Sequence, residues 1–193
     1  MKCLIINCSP RPESLTRKMM SEAASYLESK GVQVVQTDIY EQKIEYCKGC
    51  CACRTFNRCV LPHDAAHEIG EQIRQSDMLV IGTPTYWGGM SSKLKTLLDR
   101  LVYVFAELPP DSFPKPKLKG LRAVTVATCS TPYPFNILFS QSRGAVRQIN
   151  EVLKTAGCRT TSIQIAGTMH LQEPPARKIA ALRKAIDKFT KKR

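Results

Sequence analysis

Cys3-Leu4-Ile5-Ile6, followed by Asn7-Cys8-Ser9-Pro10-Arg11-Pro12-Glu13-Ser14-Leu15-Thr16, is the stretch on which the reading of this chain turns. A short apolar run ended by polar, turn-forming residues reads as a buried strand. Behind it Leu15, Met19, Ala23, Ala24 and Leu27 recur at helical spacing until Gly31 stops the helix. The turn between strand and helix collects the hydroxyls of Ser9, Ser14 and Thr16 and the guanidinium of Arg11. Backbone N–H groups, hydroxyl donors and the positive helix end can converge there on a phosphate. The same residues also allow a plainer reading, in which Ser14 only caps the helix.

Working outward, strand and helix signals keep alternating. Residues 32–39 form a second strand. Residues 40–61 lack periodicity and hold most of the cysteines, and Asp64 then caps a helix carrying Ala66, Ile69, Gly70 and Ile73. Met78-Leu79-Val80-Ile81 is a continuous apolar run, as a strand covered on both faces requires. A loop over 82–90 leads into a helix over 94–105, ended by Pro109-Pro110. Further strands follow over 121–127 and 161–165, with helices over 142–156 and 176–189. Five βα units with right-handed crossovers make an open parallel sheet with helices on both faces. Ligands then bind beyond the carboxyl ends of the strands, where the opening loop lies.

The chain has 193 residues, enough for one domain with a substantial core, expected to span 1–193. No apolar run reaches the roughly 18 residues that span a bilayer, and the amino end lacks a signal-peptide profile, so a cytoplasmic protein without membrane partners is expected. Five of its nine cysteines fall between positions 47 and 59, which points to metal, redox or catalytic thiols rather than a disulfide framework. The balance of 29 basic and 16 acidic residues, +13 overall, favours an anionic partner. The basic residues are dispersed, with local density only at Lys115, Lys117 and Lys119 and at the tail Lys191-Lys192-Arg193. Such runs read as a solvated face and a frayed end, and nucleic-acid binding is not expected. A basic module holding nucleic acid or a phosphorylated partner on the anion loop is the rival from another class.

The loop Thr83-Pro84-Thr85-Tyr86-Trp87-Gly88-Gly89-Met90 holds the only Trp of the chain beside a Tyr and two glycines. It can offer an apolar wall and backbone hydrogen-bonding groups to a flat heteroaromatic ring. Alternatively Tyr86 and Trp87 pack at a subunit contact. Combined with Asn7-Cys8-Ser9-Pro10-Arg11, Ser14 and Thr16, and with Leu94-Lys95 and Leu98-Asp99-Arg100, this loop resembles the NADPH-dependent FMN reductase and iron-sulfur flavoprotein branch of the flavodoxin-like fold. The likeness covers most of residues 1–130. It implies a flavodoxin-like α/β three-layer sandwich with a five-stranded parallel sheet in the order 2-1-3-4-5.

The resemblance assigns the FMN phosphate to Ser9, Arg11, Ser14, Leu15 and Thr16, and the flavin ring to Pro84, Thr85, Tyr86, Trp87, Gly88, Gly89 and Met90. A third contact region follows the fourth strand, at Thr128-Cys129-Ser130-Thr131. Cys8 departs from the family's usual glycine, and its side chain either crowds the phosphate turn or points into the core. Asp99 and Arg100 lie on a helix that such proteins often use to pair subunits, or else form an ordinary surface ion pair. A homodimer or homotetramer is implied.

Cys47, Cys50, Cys53 and Cys59 read as C-x2-C-x2-C-x5-C, with Cys51 as an extra thiol. Thiolates at such intervals can surround a metal or cluster. The spacing is similar to the compact motif of iron-sulfur flavoproteins, which implies a [4Fe-4S] cluster on these residues; zinc and free or redox-active thiols stay open. His63 and His67, four apart, either join a metal site or stand exposed at a helix start. Met19, Met20 and Met78 read as core. Cys3, Cys8, Cys129 and Cys158 read as buried thiols, with Cys129 the possible exception because of its loop. His170 and Glu173, in the loop after the last strand, either reach a substrate or belong to a plain surface loop. The function expected is an FMN-dependent NAD(P)H oxidoreductase passing electrons to a small-molecule acceptor or a redox protein, with no side-chain acid or base required. The alternative is an iron-sulfur flavoprotein acting as an electron carrier.

Overall fold

The computed structural model describes residues 1–109 and 112–190, so Pro110 and the basic tail Lys191–Arg193 lie outside the described residues. Strands β1 (Lys2–Asn7), β2 (Gln33–Asp38), β3 (Met78–Pro84), β6 (Arg122–Thr128) and β7 (Arg159–Ile165) form one sheet in the order β2-β1-β3-β6-β7. Every neighbouring pair is parallel. In chain order of the five long strands this is the 2-1-3-4-5 flavodoxin-like sequence. The two-residue strands β4 (Ala106–Glu107) and β5 (Lys115–Pro116) pair only with each other, as a separate antiparallel ribbon.

The pleat explains the layers. Alternate β1 residues Cys3 and Ile5 join Met19, Ala23 and Leu27 of α1 (Leu15–Ser29) and Leu182, Ile186 and Phe189 of α8 (Ala176–Thr190) in one core. Leu4, Ile6 and Cys8 face the other way. They pack with Ile69 and Ile73 of α3 (Ala65–Arg74), Leu94 and Leu97 of α4 (Ser92–Arg100), and Ile149 and Leu153 of α7 (Gln141–Thr155). Cys8 is thus a core residue: no part of it is solvent-accessible, and burial pushes its thiol well up. Met19, Met20 and Met78 are buried as well.

Several local expectations change. The helix anticipated over 94–105 breaks at Leu101, where α4 ends and a single turn, α5 (Val102–Phe105), runs on into β4 before the prolines are reached. A short helix, α2 (Ala52–Phe56), sits within the cysteine segment. Another, α6 (Phe135–Leu138), precedes α7, and a 3-10 turn covers Thr168–His170. These pieces are four or five residues or fewer, too short to show a helical period in sequence.

Candidate functional site

The amide and hydroxyl groups of the first loop are arranged by the ends of three elements. Asn7, closing β1, donates from Nδ2 to Asp38 Oδ2 at 2.8 Å, and its Oδ1 accepts from the Ser9 N–H at 3.4 Å. Asp38, closing β2, also accepts from the Tyr40 N–H at 3.0 Å and pairs with Arg17 of α1. The loop is therefore clamped from β1, β2 and α1 at once. Ser14 does cap α1: its Oγ accepts from the Arg17 N–H at 3.1 Å. That leaves the Leu15 and Thr16 N–H groups in the helix's first turn, where no acidic side chain occurs. The Ser9 Oγ accepts from the Arg11 N–H at 3.3 Å, and the Thr16 and Thr128 hydroxyls meet at 2.7 Å. The last contact links the first loop to the end of β6.

The second loop leaves β3 through the Thr85 N–H, which donates to Thr128 O at 2.8 Å. Tyr86 and Gly89 then exchange both backbone hydrogen bonds, at 3.0 and 2.9 Å, around Trp87 and Gly88 with φ of 51° and 75°. Two central residues with positive φ make a tight hairpin turn of the primed kind. Trp87 at its tip is fully exposed. Helix α7 seats this turn from below. A Cβ on Gly144 would lie 2.0 Å from Gly88 O, and Gln148 Oε1 accepts from the Met90 N–H at 3.1 Å.

A cavity of about 540 Å³ joins the two loops at the carboxyl ends of β1, β3 and β6. It is lined by Ser9, Arg11, Ser14, Leu15 and Thr16, by Pro84, Thr85 and Tyr86, and by Thr128 and Ser130. Of the remaining residues assigned to the flavin, Trp87, Gly88 and Gly89 form or flank the exposed turn beside the cavity. Met90 is buried and lines a different groove, of about 340 Å³, between α4 and α7. Cys129 points inward and is buried, because the register that turns Thr128 and Ser130 toward the cavity turns it away.

The cavity also has a wall that the sequence did not announce. Thr168, Met169, Leu171 and Gln172, from the turn after β7, line it together with Lys18. Lys18 Nζ donates to Gln172 O at 2.8 Å and to Glu173 Oε1 at 2.5 Å, tying that turn to α1. Of the two readings left open for this loop, the surface stretch and the wall of a binding site, its residues Thr168, Met169, Leu171 and Gln172 take the second. No periodicity or motif marks it, and only the parallel placement of β7 beside β6 brings it there.

The cysteine loop is anchored by a residue expected at the surface. Arg100 is buried, with a side chain only 1% exposed, and it pairs with Asp64 rather than standing on the helix surface; Asp99 makes the surface pair, with Lys95 at 2.6 Å. The Arg100 Nη1 and Nη2 donate to the two Asp64 oxygens at 2.7 and 3.0 Å. Nη1 also donates to Glu45 O at 2.8 Å, and Nε to Cys59 Sγ at 3.3 Å. Burial pushes the Asp64 carboxyl up, but the Arg100 and Glu45 donors outweigh it and hold the group below the ordinary carboxylate value. His67 closes a capping box with Asp64 at the start of α3 and stacks on His63 at 5.0 Å, so these histidines are helix-start residues.

Cys47, Cys50, Cys53 and Cys59 line one small concavity with Cys51 and Arg100. Cys47, Cys50 and Cys51 are exposed, while Cys53 and Cys59 are half-buried. Burial pushes the Cys53 thiol up, and the neighbouring Cys47 and Cys59 push it in the same direction. Among the described residues no three His, Cys, Asp or Glu side chains converge as a single bound ion requires. Zinc holds its four ligands at about 2.3 Å, so these sulfurs would have to draw together to take it. A [4Fe-4S] cluster takes four soft thiolates, each on a different iron, and four thiols of this loop line the one concavity.

The model for the family described as NADPH-dependent FMN reductase matches residues 1–133. An iron-sulfur flavoprotein of Methanocaldococcus jannaschii is 32% identical over 100 residues, covering 52% of this chain and 51% of that protein. The chain thus spans about half the length of the curated relatives it matches. Among solved structures, an azoreductase from Bacillus anthracis superposes with a TM-score of 0.73 at 19% identity, covering 98% of each chain. An NAD(P)H:quinone oxidoreductase from Methanothermobacter marburgensis superposes with a TM-score of 0.73 at 16% identity, covering 100% of this chain and 98% of the other.

Proposed function

The chain belongs to the NADPH-dependent FMN reductase family, and from that premise we propose that it is a single-domain, FMN-dependent NAD(P)H oxidoreductase reducing a small-molecule acceptor. One observation carries the reading. A single cavity joins a hydroxyl- and guanidinium-bearing loop at a helix N-terminus to a second loop whose backbone can follow a ring edge. The cavity's volume of about 540 Å³ falls in the range of cofactor sites. In addition, the buried Thr85 Oγ1 has no partner within the protein, as a group reserved for a ligand would not.

Bound FMN supplies the hydride chemistry. The protein's own part is to hold and orient. Ser9, Arg11 and the Leu15 and Thr16 amides would take the phosphate, with Ser14 fixing the helix start. Pro84, Thr85 and Tyr86 would border the ring, and Trp87 at the exposed turn is free to meet the nicotinamide or the acceptor. Absorption of the purified protein, followed by titration with NADPH and NADH under nitrogen, tests this. A chain that neither retains nor binds FMN would overturn it.

A second reading has its own observation: four thiols on one concavity beside a buried guanidinium. We read Cys47, Cys50, Cys53 and Cys59 as the holders of a [4Fe-4S] cluster that passes single electrons to a redox partner. Iron and acid-labile sulfide measured after anaerobic reconstitution decide it. A homodimer or homotetramer is also proposed, on the groove between α4 and α7 and the exposed Tyr133, Phe135, Leu138 and Phe139. A flavin-loaded monomer in sedimentation would remove it. Among the described residues no helix is long and apolar enough to cross a membrane.

A further inference from the structure

We infer that Arg100 is a positioning residue for the cysteine loop. Clamped by Asp64, it donates an N–H to the Cys59 sulfur, fixing Cys59 as the pre-set ligand and raising the reduction potential of the cluster. The inference rests on the cluster reading above and adds to it which ligand is tuned, and by what.

The geometry is specific. A guanidinium this buried needs a counter-charge, and the fork-to-fork pair with Asp64 supplies it. The Nε–H is not needed for that neutralisation, yet it is directed at Cys59 Sγ, 3.3 Å away. A neutral thiol is a weak acceptor, whereas a charged donor is best satisfied by an anion. The contact therefore suits a sulfur carrying negative charge, as an iron-bound thiolate does. Arginine stays protonated at any working pH, so the donor is permanent.

Cys59 is also held through its backbone. Its carbonyl lies 3.4 Å from His67 Nε2, and the Nδ1 of the same ring is 3.1 Å from Asp64 Oδ1. Asp64 accepts from the Glu45 N–H at 3.0 Å, while the Glu45 carbonyl accepts from Arg100, so the segment entering the cysteine loop is tied to the same anchor. Cys47 and Cys50 sit on the exposed part of the loop, next to Gly49 with a positive φ of 64°. Cys59 is thus held by this anchor and Cys53, in α2, packs half-buried against the same core, while Cys47 and Cys50 stand on the exposed turn that can close over a cluster. A hydrogen bond to a ligand sulfur favours the more negative, reduced form, which raises the potential.

The test uses the full chain, reconstituted anaerobically, as wild type, Arg100→Gln and Arg100→Lys. Iron and sulfide are counted, and the cluster is titrated potentiometrically with EPR detection. Arg100→Gln is expected to lower the equilibrium constant for one-electron reduction about tenfold, or ~59 mV. Arg100→Lys, which keeps the charge but loses the planar fork, should recover only part of this shift. Equal potentials in wild type and Arg100→Gln, both carrying full clusters, would overturn the inference, as would complete recovery by lysine. A wild type that takes up no iron or sulfide overturns the cluster reading itself, and this inference with it. Wild type grown with guanidino-15N arginine needs no variant to fold: pulsed EPR should detect nitrogen coupling to the reduced cluster, and its absence would overturn the inference.

Discussion

Replacing Gly144 by alanine perturbs the Tyr86–Gly89 turn from behind, without touching the cavity. The added methyl would lie 2.0 Å from Gly88 O, where real Cβ contacts under 3.0 Å essentially never occur. Helix α7 or the Tyr86–Gly89 turn must therefore move by about 1 Å, the difference between those two distances. The obstacle is backbone, so no rotamer change relieves it. Two effects oppose each other. Alanine gains about 1 kcal/mol over glycine inside a helix, whereas overpacking costs about 1–3 kcal/mol. A clash this deep belongs at the upper end, leaving a net loss of about 2 kcal/mol. For a chain of this size that lowers Tm by about 4–8 °C. If the shifted turn loses one backbone hydrogen bond to the flavin, FMN affinity falls about tenfold. Fluorescence titration of apoprotein with FMN and a thermal melt measure both. An unchanged FMN affinity with Tm within about 1 °C would show that α7 slides freely past the turn, and the reasoning would be refuted.

Asp64→Ala strips the counter-charge from buried Arg100 and should cost about 3–5 kcal/mol, read as a lower urea midpoint. Because the folded Asp64 carboxyl is held below its unfolded value of about 3.9, its stabilisation is present above that value and lost as pH falls through the depressed one. Acid titration should therefore release the cysteine loop in wild type, and Asp64→Ala should lack that component; a wild-type profile in the variant would count against it. Ser14→Ala removes the α1 cap and should cost about 0.5–2 kcal/mol in a melt, with weaker FMN binding if the first turn frays. Alkylation with iodoacetamide near pH 8, followed by mass spectrometry of the cluster-free chain, should label Cys47, Cys50 and Cys51 first. Cys3 and Cys158, pushed by burial to about 12 and about 11, should stay unmodified until the protein unfolds. Early labelling of either buried thiol would contradict the core described above.

Much of this protein was legible in local pattern. Strand β1, the loop behind it and the cap on α1 follow from an apolar run, a cluster of hydroxyls and a helical period, all within the first 30 residues. The order of the long strands follows from βα alternation, crossover handedness and the resemblance that the motifs carried. The first loop and Pro84, Thr85, Tyr86 and Ser130 meet in one cavity because chains of this topology bring strand ends together.

What local pattern cannot express is which side chain a distant segment will meet. Asp99 and Arg100 read as an ordinary ion pair on the surface of an apolar helix, yet Arg100 is buried because Asp64, 36 residues earlier, lies where its fork can be matched. Gly144 looks like an ordinary weak spot in a helix until Gly88 is set against it. The turn over Thr168–Gln172 carries no motif and becomes a cavity wall only when β7 pairs with β6. Burial and pairing are properties of three-dimensional neighbourhoods, and neither spacing nor composition encodes who the neighbour is. The loop between β1 and α1 was therefore determined by its own residues, while the anchoring of the cysteine loop was decided only when the chain closed around Arg100.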